Sequence, residues 1–246
     1  MAKEEFLVVG TVFFFAAFVK GVTGLGFSTT ALPFLVLSIG LKQTLPLLII
    51  PSILSNLIVM KDAGHFRASW SQFWPLYIAT VPGICIGLAL LKWLDARTCA
   101  AVLGLTLVAY SIVALCNASF QLNRRLARWL QAPVGSITGI LNGMTGSQVF
   151  PVVPYLLSLP LHRDHFVQAS NIAFTLCSLL MALGLSQLGL MTLEIFVISL
   201  IGVILVYAGV QLGALFRRWL SPTAFRKTIL ALLIFLGLSL IIRLAL

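Results

Sequence analysis

The sequence predicts an all-α integral membrane protein, and three observations carry that reading. Of 246 residues, 60% are hydrophobic and 9% are charged. Mean hydropathy is +1.09. Apolar stretches follow one another from Phe6 to Leu244, with no polar block long enough to form a soluble domain. A soluble domain carries about 25% charged residues, so this chain has too little polar surface to face water, and one embedded domain spanning 1–246 is expected.

The same composition excludes several function classes. The formal charge of +10, from 16 Lys and Arg against 6 Asp and Glu, would point a soluble protein toward nucleic acid. Here the basic residues lie in short loops between apolar runs, where they set orientation in a bilayer, and no nucleic-acid partner is expected. Cys85, Cys99, Cys116 and Cys177 stand apart without a C-x-x-C pair, so they read as small apolar residues. No cleavage site followed by a polar mature domain succeeds Met1–Glu5, which speaks against a removable signal peptide. No Ser-His-Asp set, H-E-x-x-H or phosphate-binding G-x-x-x-x-G-K-[ST] loop occurs. The expectation is a protein that is neither an enzyme nor an ATP-driven pump, and that needs no cofactor. His162-Arg163-Asp164-His165 can be drawn as a metal site, but in a short basic loop it reads as orientation charge plus a helix cap, so no metal is expected. Asp95 and Glu194 stand where helices begin, an ordinary place for negative charge.

The elements follow from length. A helix rises 1.5 Å per residue and a hydrocarbon core is about 30 Å thick, so a span takes about 20 residues. Thr44–Met60, Phe73–Leu91, Thr98–Asn117, Phe166–Gln187 and Ile195–Phe216 fit as single crossings. Thr228–Ile242 is a shorter sixth, whose flanking Lys227 and Arg243 can snorkel to the surfaces. The connecting loops hold Lys61–Arg67, Lys92–Arg97, Arg124–Arg128 and Arg217–Lys227.

Two stretches are too long to cross once. Phe6–Leu41 contains a single charge, Lys20, and Trp129–Leu161 contains none; as straight helices they would measure about 54 and 50 Å. Each is interrupted by Gly and Pro: Gly21-Val22-Thr23-Gly24-Leu25-Gly26 with Pro33, and Gly143-Met144-Thr145-Gly146 with Pro151 and Pro154. Broken backbone survives at membrane depth only where protein or a polar cavity surrounds it. Both stretches are therefore expected to be helical hairpins or broken helices inside the bundle, bringing the total to about eight hydrophobic segments.

The two stretches also match each other. Gly21-Val22-Thr23-Gly24 aligns with Gly143-Met144-Thr145-Gly146, Leu32-Pro33-Phe34-Leu35 with Val153-Pro154-Tyr155-Leu156, and Ser55-Asn56 with Ser170-Asn171. This reads as an internal repeat of halves at roughly 6–120 and 129–246. If each opening stretch returns to its own side, three ordinary spans follow it, and the halves are inverted. That topology collects ten basic residues on one side, at Lys61, Arg67, Arg124, Arg125, Arg128, Arg163, Arg217, Arg218, Arg226 and Lys227, against five on the other. By the positive-inside rule the richer side is cytoplasmic and both termini lie outside. Single crossings would leave 8 against 7, with no preference.

With Lys20-Gly21-Val22-Thr23-Gly24-Leu25-Gly26-Phe27 and Leu32-Pro33-Phe34-Leu35, and the second copy Gly139 to Gly146 with Pro154-Tyr155-Leu156-Leu157, the chain resembles the sulfite exporter TauE/SafE family of bacterial and plant membrane transporters. The likeness covers nearly the whole length. It implies transport of small sulfur-containing anions, sulfite or organosulfonates such as sulfoacetate, across a cell (inner) membrane. Many family members have a denser GxGGG-like cluster where this chain has Gly24-Leu25-Gly26-Phe27-Ser28 and Gly146-Ser147-Gln148. That departure bears on the substrate more than on the fold.

The residues offer a way to do this. Carriers with inverted repeats hold substrate near the midplane at the ends of broken helices, and helix N-termini attract anions. Helices are expected to restart near Ser28-Thr29-Thr30 and near Ser147-Gln148, where Ser and Thr would suit either capping or a ligand. Lys20 follows fourteen uncharged residues and precedes twenty-one more, directly before the break. An ionisable residue so placed is a functional candidate, read here as the counter-charge for an anion, with snorkelling to an interface as the plain alternative. Its repeat mate is Asn142, a neutral donor. Thr23, Thr145 and Gln148 are placed to supply further donors. Asn56 and Asn171 recur one helix later and suit either substrate binding or interhelical hydrogen bonds. Gly24, Gly26, Gly143 and Gly146 let backbone come close to a ligand or a helix.

A charge gains about 2.3 kcal/mol per 100 mV, so a monovalent anion leaves a negative cytoplasm downhill about fiftyfold. The deep interior has no Asp or Glu to carry a proton inward, which leans toward export. The expected partners are a small anion and the lipid bilayer, with a homodimer left open. The alternatives are a membrane-embedded scaffold or interaction protein without transport, and an anion channel. A common cavity shared by Lys20 and the break residues would tell against the scaffold.

Overall fold

A computed structural model describes residues 3–116, 121–217, 219 and 221–245. Asn117, which ends the third single span expected from the sequence, and Arg218 of the charge count lie outside them. The described residues form ten helices and no strand: α1 (Lys3–Thr23), α2 (Phe27–Ile39), α3 (Leu41–Ala63), α4 (Phe66–Trp93), α5 (Ala96–Leu115), α6 (Arg124–Thr145), α7 (Val152–Leu157), α8 (Arg163–Gln187), α9 (Leu193–Phe216) and α10 (Pro222–Ala245). Seven of them, α1, α3, α4, α5, α8, α9 and α10, are long and apolar enough to cross a membrane. The chain is a multi-pass, all-α membrane protein.

Both long apolar stretches are hairpins. In the first, α2 turns back along α1, with the Phe15 and Phe34 ring centroids 6.0 Å apart, and its last turn meets the end of α10, where Arg243 donates to the Leu37 carbonyl at 3.1 Å. In the second, α7 returns beside the start of α6: Tyr155 donates to the Ala127 carbonyl at 2.8 Å, and the Leu122 N–H to the Ser158 carbonyl at 3.0 Å. Lys61–Arg67, Arg124–Arg128, Arg163 and Arg217 therefore share one face, called here the basic face. The start of α1 and the end of α10 share the other with Lys42, Lys92 and Arg97. Exposed Trp70, Trp129 and Trp219 ring the basic face and Trp93 stands at the opposite one, the belt positions that tryptophan favours.

The breaks have a backbone cause. Gly26 at φ +97° and Gly146 at φ +78° occupy the left-handed region, where a side chain is strained. Gly146 ends α6 as a C-cap, its N–H bonding to the Asn142 carbonyl. The second helix does not restart at Ser147-Gln148, as the sequence suggested; α7 begins at Val152. A proline disfavours the helical conformation in the residue before it, and α7 begins directly after Pro151, while Pro154 sits in the first turn, where its missing N–H costs nothing. At the first break α2 starts with Gly26 as N-cap and no side-chain cap, so Ser28 keeps its hydroxyl for another partner. The basic loops are also shorter than expected. Arg124–Arg128 already belong to α6, whose Asn123 cap accepts from the Leu126 N–H at 2.8 Å. Asp95 caps α5 likewise, and its bonds from the Thr98 hydroxyl and N–H hold its carboxyl below the usual carboxylate range.

Two seams of small residues clamp the hairpins. α1 runs parallel to α9, where a Cβ on Gly213 would stand 2.2 Å from the Phe18 carbonyl oxygen, and α6 runs parallel to α4, where a Cβ on Gly87 would stand 2.3 Å from the Ile140 carbonyl oxygen. Without side chains there, backbones pack directly, the usual solution when lipid supplies no hydrophobic drive between helices. α5 lies antiparallel against α10 through Gly104 and Gly237, and α3 packs on α8. Exchanging α1–α5 for α6–α10 carries the first seam onto the second and leaves the α3–α8 and α5–α10 pairs in place.

Gly87→Val is expected to force this seam apart and to destabilise the protein by about 1–3 kcal/mol, the usual cost of overpacking. A clear fall in the detergent melting temperature is the readout; an unchanged melting temperature would contradict the seam.

Candidate functional site

The site is built where the two breaks meet. Lys20 lies in the last turn of α1 and is 1% exposed, so it is fully inside the bundle and does not snorkel to a surface. Its Nζ donates to Asn56 Oδ1 of α3. A carbonyl oxygen is the right neutral partner for an ammonium, because it removes part of the burial penalty without cancelling the charge. The Asn56 amide nitrogen has no hydrogen-bond partner among the described residues. Lys20, Asn56, Gly26 and Ser28 line a cavity with Gln148 of the second break. A second cavity continues from it past Ser28 and Gln148 to Ser52, Asn142, Gly146 and Ser178. The free space in each is about the size of a water molecule.

The expected residues separate into those the structure gathers and those it turns away. Lys20, Gly26, Ser28, Asn56, Asn142, Gly146 and Gln148 line the paired cavities. Gln148 Nε2 donates to Ser178 Oγ at 2.8 Å, and the Ser28 and Ser52 hydroxyls bond each other. Thr23 is turned toward its own backbone, its hydroxyl within hydrogen-bond distance of the Val19 and Leu25 carbonyls at 2.9 and 2.7 Å and able to donate to one of them at a time. Thr145 is used the same way, bonding the Leu141 carbonyl at 2.6 Å and accepting from the Ser147 N–H at 3.2 Å. Asn171 ties α8 to the first break, its Nδ2 reaching the Val167 carbonyl at 2.8 Å and the Gly24 carbonyl at 3.4 Å. Gly24 lies beside a different cavity, with Arg163 and Arg217. Ser147 is wholly buried, and its hydroxyl has no partner among the described residues.

Sequence reasoning missed Ser52, Ser178, Tyr110 and Arg226. Ser52 had a signal, since it stands four residues before Asn56 and so on the same helix face. Ser178, seven residues after Asn171, had the same one. Tyr110 and Arg226 had none, because α5 and α10 read as plain spans. They line a larger cavity that touches the site at Gly26 and Thr29 and extends to Phe166 near the basic face. The Arg226 guanidinium sits beside the Tyr110 hydroxyl there. On the opposite side the site is closed by Leu32 and Leu45, both buried against Gly146, where a Cβ would stand 2.4 Å from Leu45.

A further basic contact shapes the break. Arg217 donates to the Gly21 and Val22 carbonyls at 2.6 and 3.1 Å, capping the free carbonyls at the end of α1. The α2 N-terminus, with its partial positive charge, and the Lys20 ammonium thus converge on one buried spot. Such an arrangement favours an anion.

A family model described as Sulfite exporter TauE/SafE matches residues 9–240 of the chain. Comparison with curated proteins and with solved structures finds no match.

Asn56→Leu is expected to cost about 1–3 kcal/mol, the penalty for a buried donor left unpaired. Adding Lys20→Met to that variant should restore most of the loss. Denaturation in detergent measures both; a double variant no more stable than Asn56→Leu would contradict the pairing.

Proposed function

Because the chain belongs to the sulfite exporter TauE/SafE family, a family of membrane transporters, we propose that it is a secondary carrier of small sulfur-containing anions, sulfite or a short organosulfonate, and that it exports them. The observation that carries this reading is the buried Lys20 at the first break, lining one cavity with Gln148 of the second. A scaffold has no use for an ammonium in the bundle interior, whose burial is costly. An anion does. The three oxygens of a sulfonate or sulfite would accept from Lys20 Nζ, the free Asn56 Nδ2 and the Ser28 hydroxyl. Asn142, Gly146 and Gln148 complete the site from the second break. Ser147, with its partnerless hydroxyl, lies one residue away, and Thr23, Thr145, Gly24 and Asn171 hold the two breaks in shape around the bound ion.

In this reading 6–120 and 129–246 are inverted repeats of one transporter domain, and the site lies near the midplane between their broken helices. The recurrence of each packing seam under exchange of the halves supports it. The basic face is cytoplasmic by its excess of Lys and Arg, which puts both chain ends outside the inner membrane. The anion arrives through the cavity at Arg226 and Tyr110, passes Gly26 and Thr29, and reaches Lys20. Leu32 and Leu45, buried against Gly146, bar the way onward until the hairpins move, which favours a carrier over a channel. Departure outward is downhill for an anion at a negative cytoplasmic potential, which removes the need for a coupling ion.

Flux of labelled sulfite and organosulfonates into proteoliposomes is expected to saturate with concentration and to fall at least tenfold in Lys20→Gln. Flux unchanged in Lys20→Gln would remove Lys20 from the site, and no flux of any such anion would contradict the carrier.

Arg226→Gln should raise the half-saturating concentration several-fold from the basic face and leave maximal flux near that of the unmodified protein, with the larger effect at low ionic strength. An unchanged half-saturating concentration would mean that anions do not approach by that cavity.

A further inference from the structure

The two small cavities at the breaks share Ser28 and Gln148 in their walls, and the two ends of the pair are chemically unlike. One end has Lys20, the single charged side chain among the described residues that line it, with Asn56 beside it. The other end is neutral: Asn142, Gln148, Ser52 and Ser178, bounded by Leu48 and Met181. Asn142 is 1% exposed there, and neither its Nδ2 nor its Oδ1 has a hydrogen-bond partner among the described residues. A primary amide can donate and accept at once. Leaving both functions unmet inside a membrane bundle is costly, and Gln148 beside it shows that the same wall does satisfy an amide when a partner exists, through Ser178.

We propose that Asn142 and Gln148 form a second subsite, one that reads a neutral hydrogen-bonding arm on the substrate. The preferred cargo is then a short sulfonate monoanion carrying a hydroxyl or amide, with its sulfonate at Lys20 and its arm at Asn142. This rests on the anion-carrier reading of the same paired cavities and says which anions they select. A hydroxyl on the arm can donate to Asn142 Oδ1 and accept from Nδ2, meeting both orphaned functions. An alkyl arm leaves them unmet. A carboxylate arm, as in sulfoacetate, brings a second negative charge to an end without a cation, where an unpaired buried charge is strongly disfavoured. Sulfite carries no arm to offer Asn142 and forgoes that contact.

The test compares 2-hydroxyethanesulfonate with ethanesulfonate, which differ by the one hydroxyl, in proteoliposomes containing the full chain. The unmodified protein is expected to favour the hydroxylated anion about tenfold or more in kcat/KM, since a site built to hydrogen-bond a group rejects the analogue lacking it. In Asn142→Leu that ratio should fall to near one, while transport of both anions still requires Lys20. The ratio is taken within one preparation, so a lower yield of folded variant cancels; should Asn142→Leu fail to fold, Gln148→Leu reads the same subsite. Equal efficiencies in the unmodified protein, a ratio unchanged by these substitutions, or sulfoacetate carried better than 2-hydroxyethanesulfonate would overturn the subsite and leave the carrier standing. No saturable flux of any of these anions would overturn the carrier itself, and the subsite with it.

Discussion

A single ammonium held inside the bundle by an asparagine is the constraint on which the rest of the structure depends. Lys20 is buried at its place in α1, where its Nζ bonds Asn56 of α3 and shares a cavity with Ser28 of α2 and Gln148 of the second break. That convergence explains the break in the first apolar stretch. A straight continuation of α1 would carry the chain away from Lys20, whereas the left-handed Gly26 returns it, so that α2 begins beside the ammonium. Two positive features then face each other, the lysine and the α2 N-terminus, an arrangement unfavourable for the protein alone and favourable around an anion. Arg217 adds a further cation beside the break by occupying the Gly21 and Val22 carbonyls at the end of α1.

Such a site needs rigid walls, and the glycine seams supply them. α1 is locked to α9 and α6 to α4 by direct backbone contact at Gly213 and Gly87. Each seam joins a helix of α1–α5 to one of α6–α10, so drawing these two sets of helices apart would have to open both seams at once. The hairpin returns α2 and α7 are shorter, and α2 packs mainly on α1 and α3. The leucines that close the site, Leu32 of α2 and Leu45 of α3, belong to the first hairpin and the helix that follows it. The barrier to the far face is therefore made by elements outside the locked seams.

Much of the fold was legible because the bilayer imposes its own ruler. Stretches of about twenty apolar residues read as spans and are spans, and Phe6–Leu41 and Trp129–Leu161 were too long to cross once and are hairpins. The excess of basic residues on one face distinguished hairpins from single crossings before any coordinates. Helix ends were less legible, since Arg124, Arg125 and Arg128 look like a loop but extend α6, their charges lying within reach of the interface. The restart of the second helix was misplaced because Ser147 is a good cap by type, while α7 begins directly after Pro151, four residues on. Among the candidate site residues, Lys20 stands out in the sequence as the lone charge in a long apolar run, and Asn56 and Asn142 through the two matching stretches. Thr23 and Thr145 looked identical to ligand donors, yet a threonine at a helix end also bonds its own carbonyls, and nothing in sequence separates the two uses. Arg226 and Tyr110 were invisible because their importance comes from which cavity they border, a property of packing between distant helices.

The central claim is that one anion sits in the paired cavities between the two breaks, with its charge at Lys20. A structure of the protein with 2-hydroxyethanesulfonate bound tests this directly, because the anomalous signal of the sulfur marks the sulfonate independently of the arm. The expected result is sulfonate oxygens in hydrogen-bond contact with Lys20 and Ser28 and the hydroxyl toward Asn142. A sulfonate bound elsewhere, for instance in the surface cavity between Arg97 and Arg243, with the cavity at Lys20 unchanged, would contradict it.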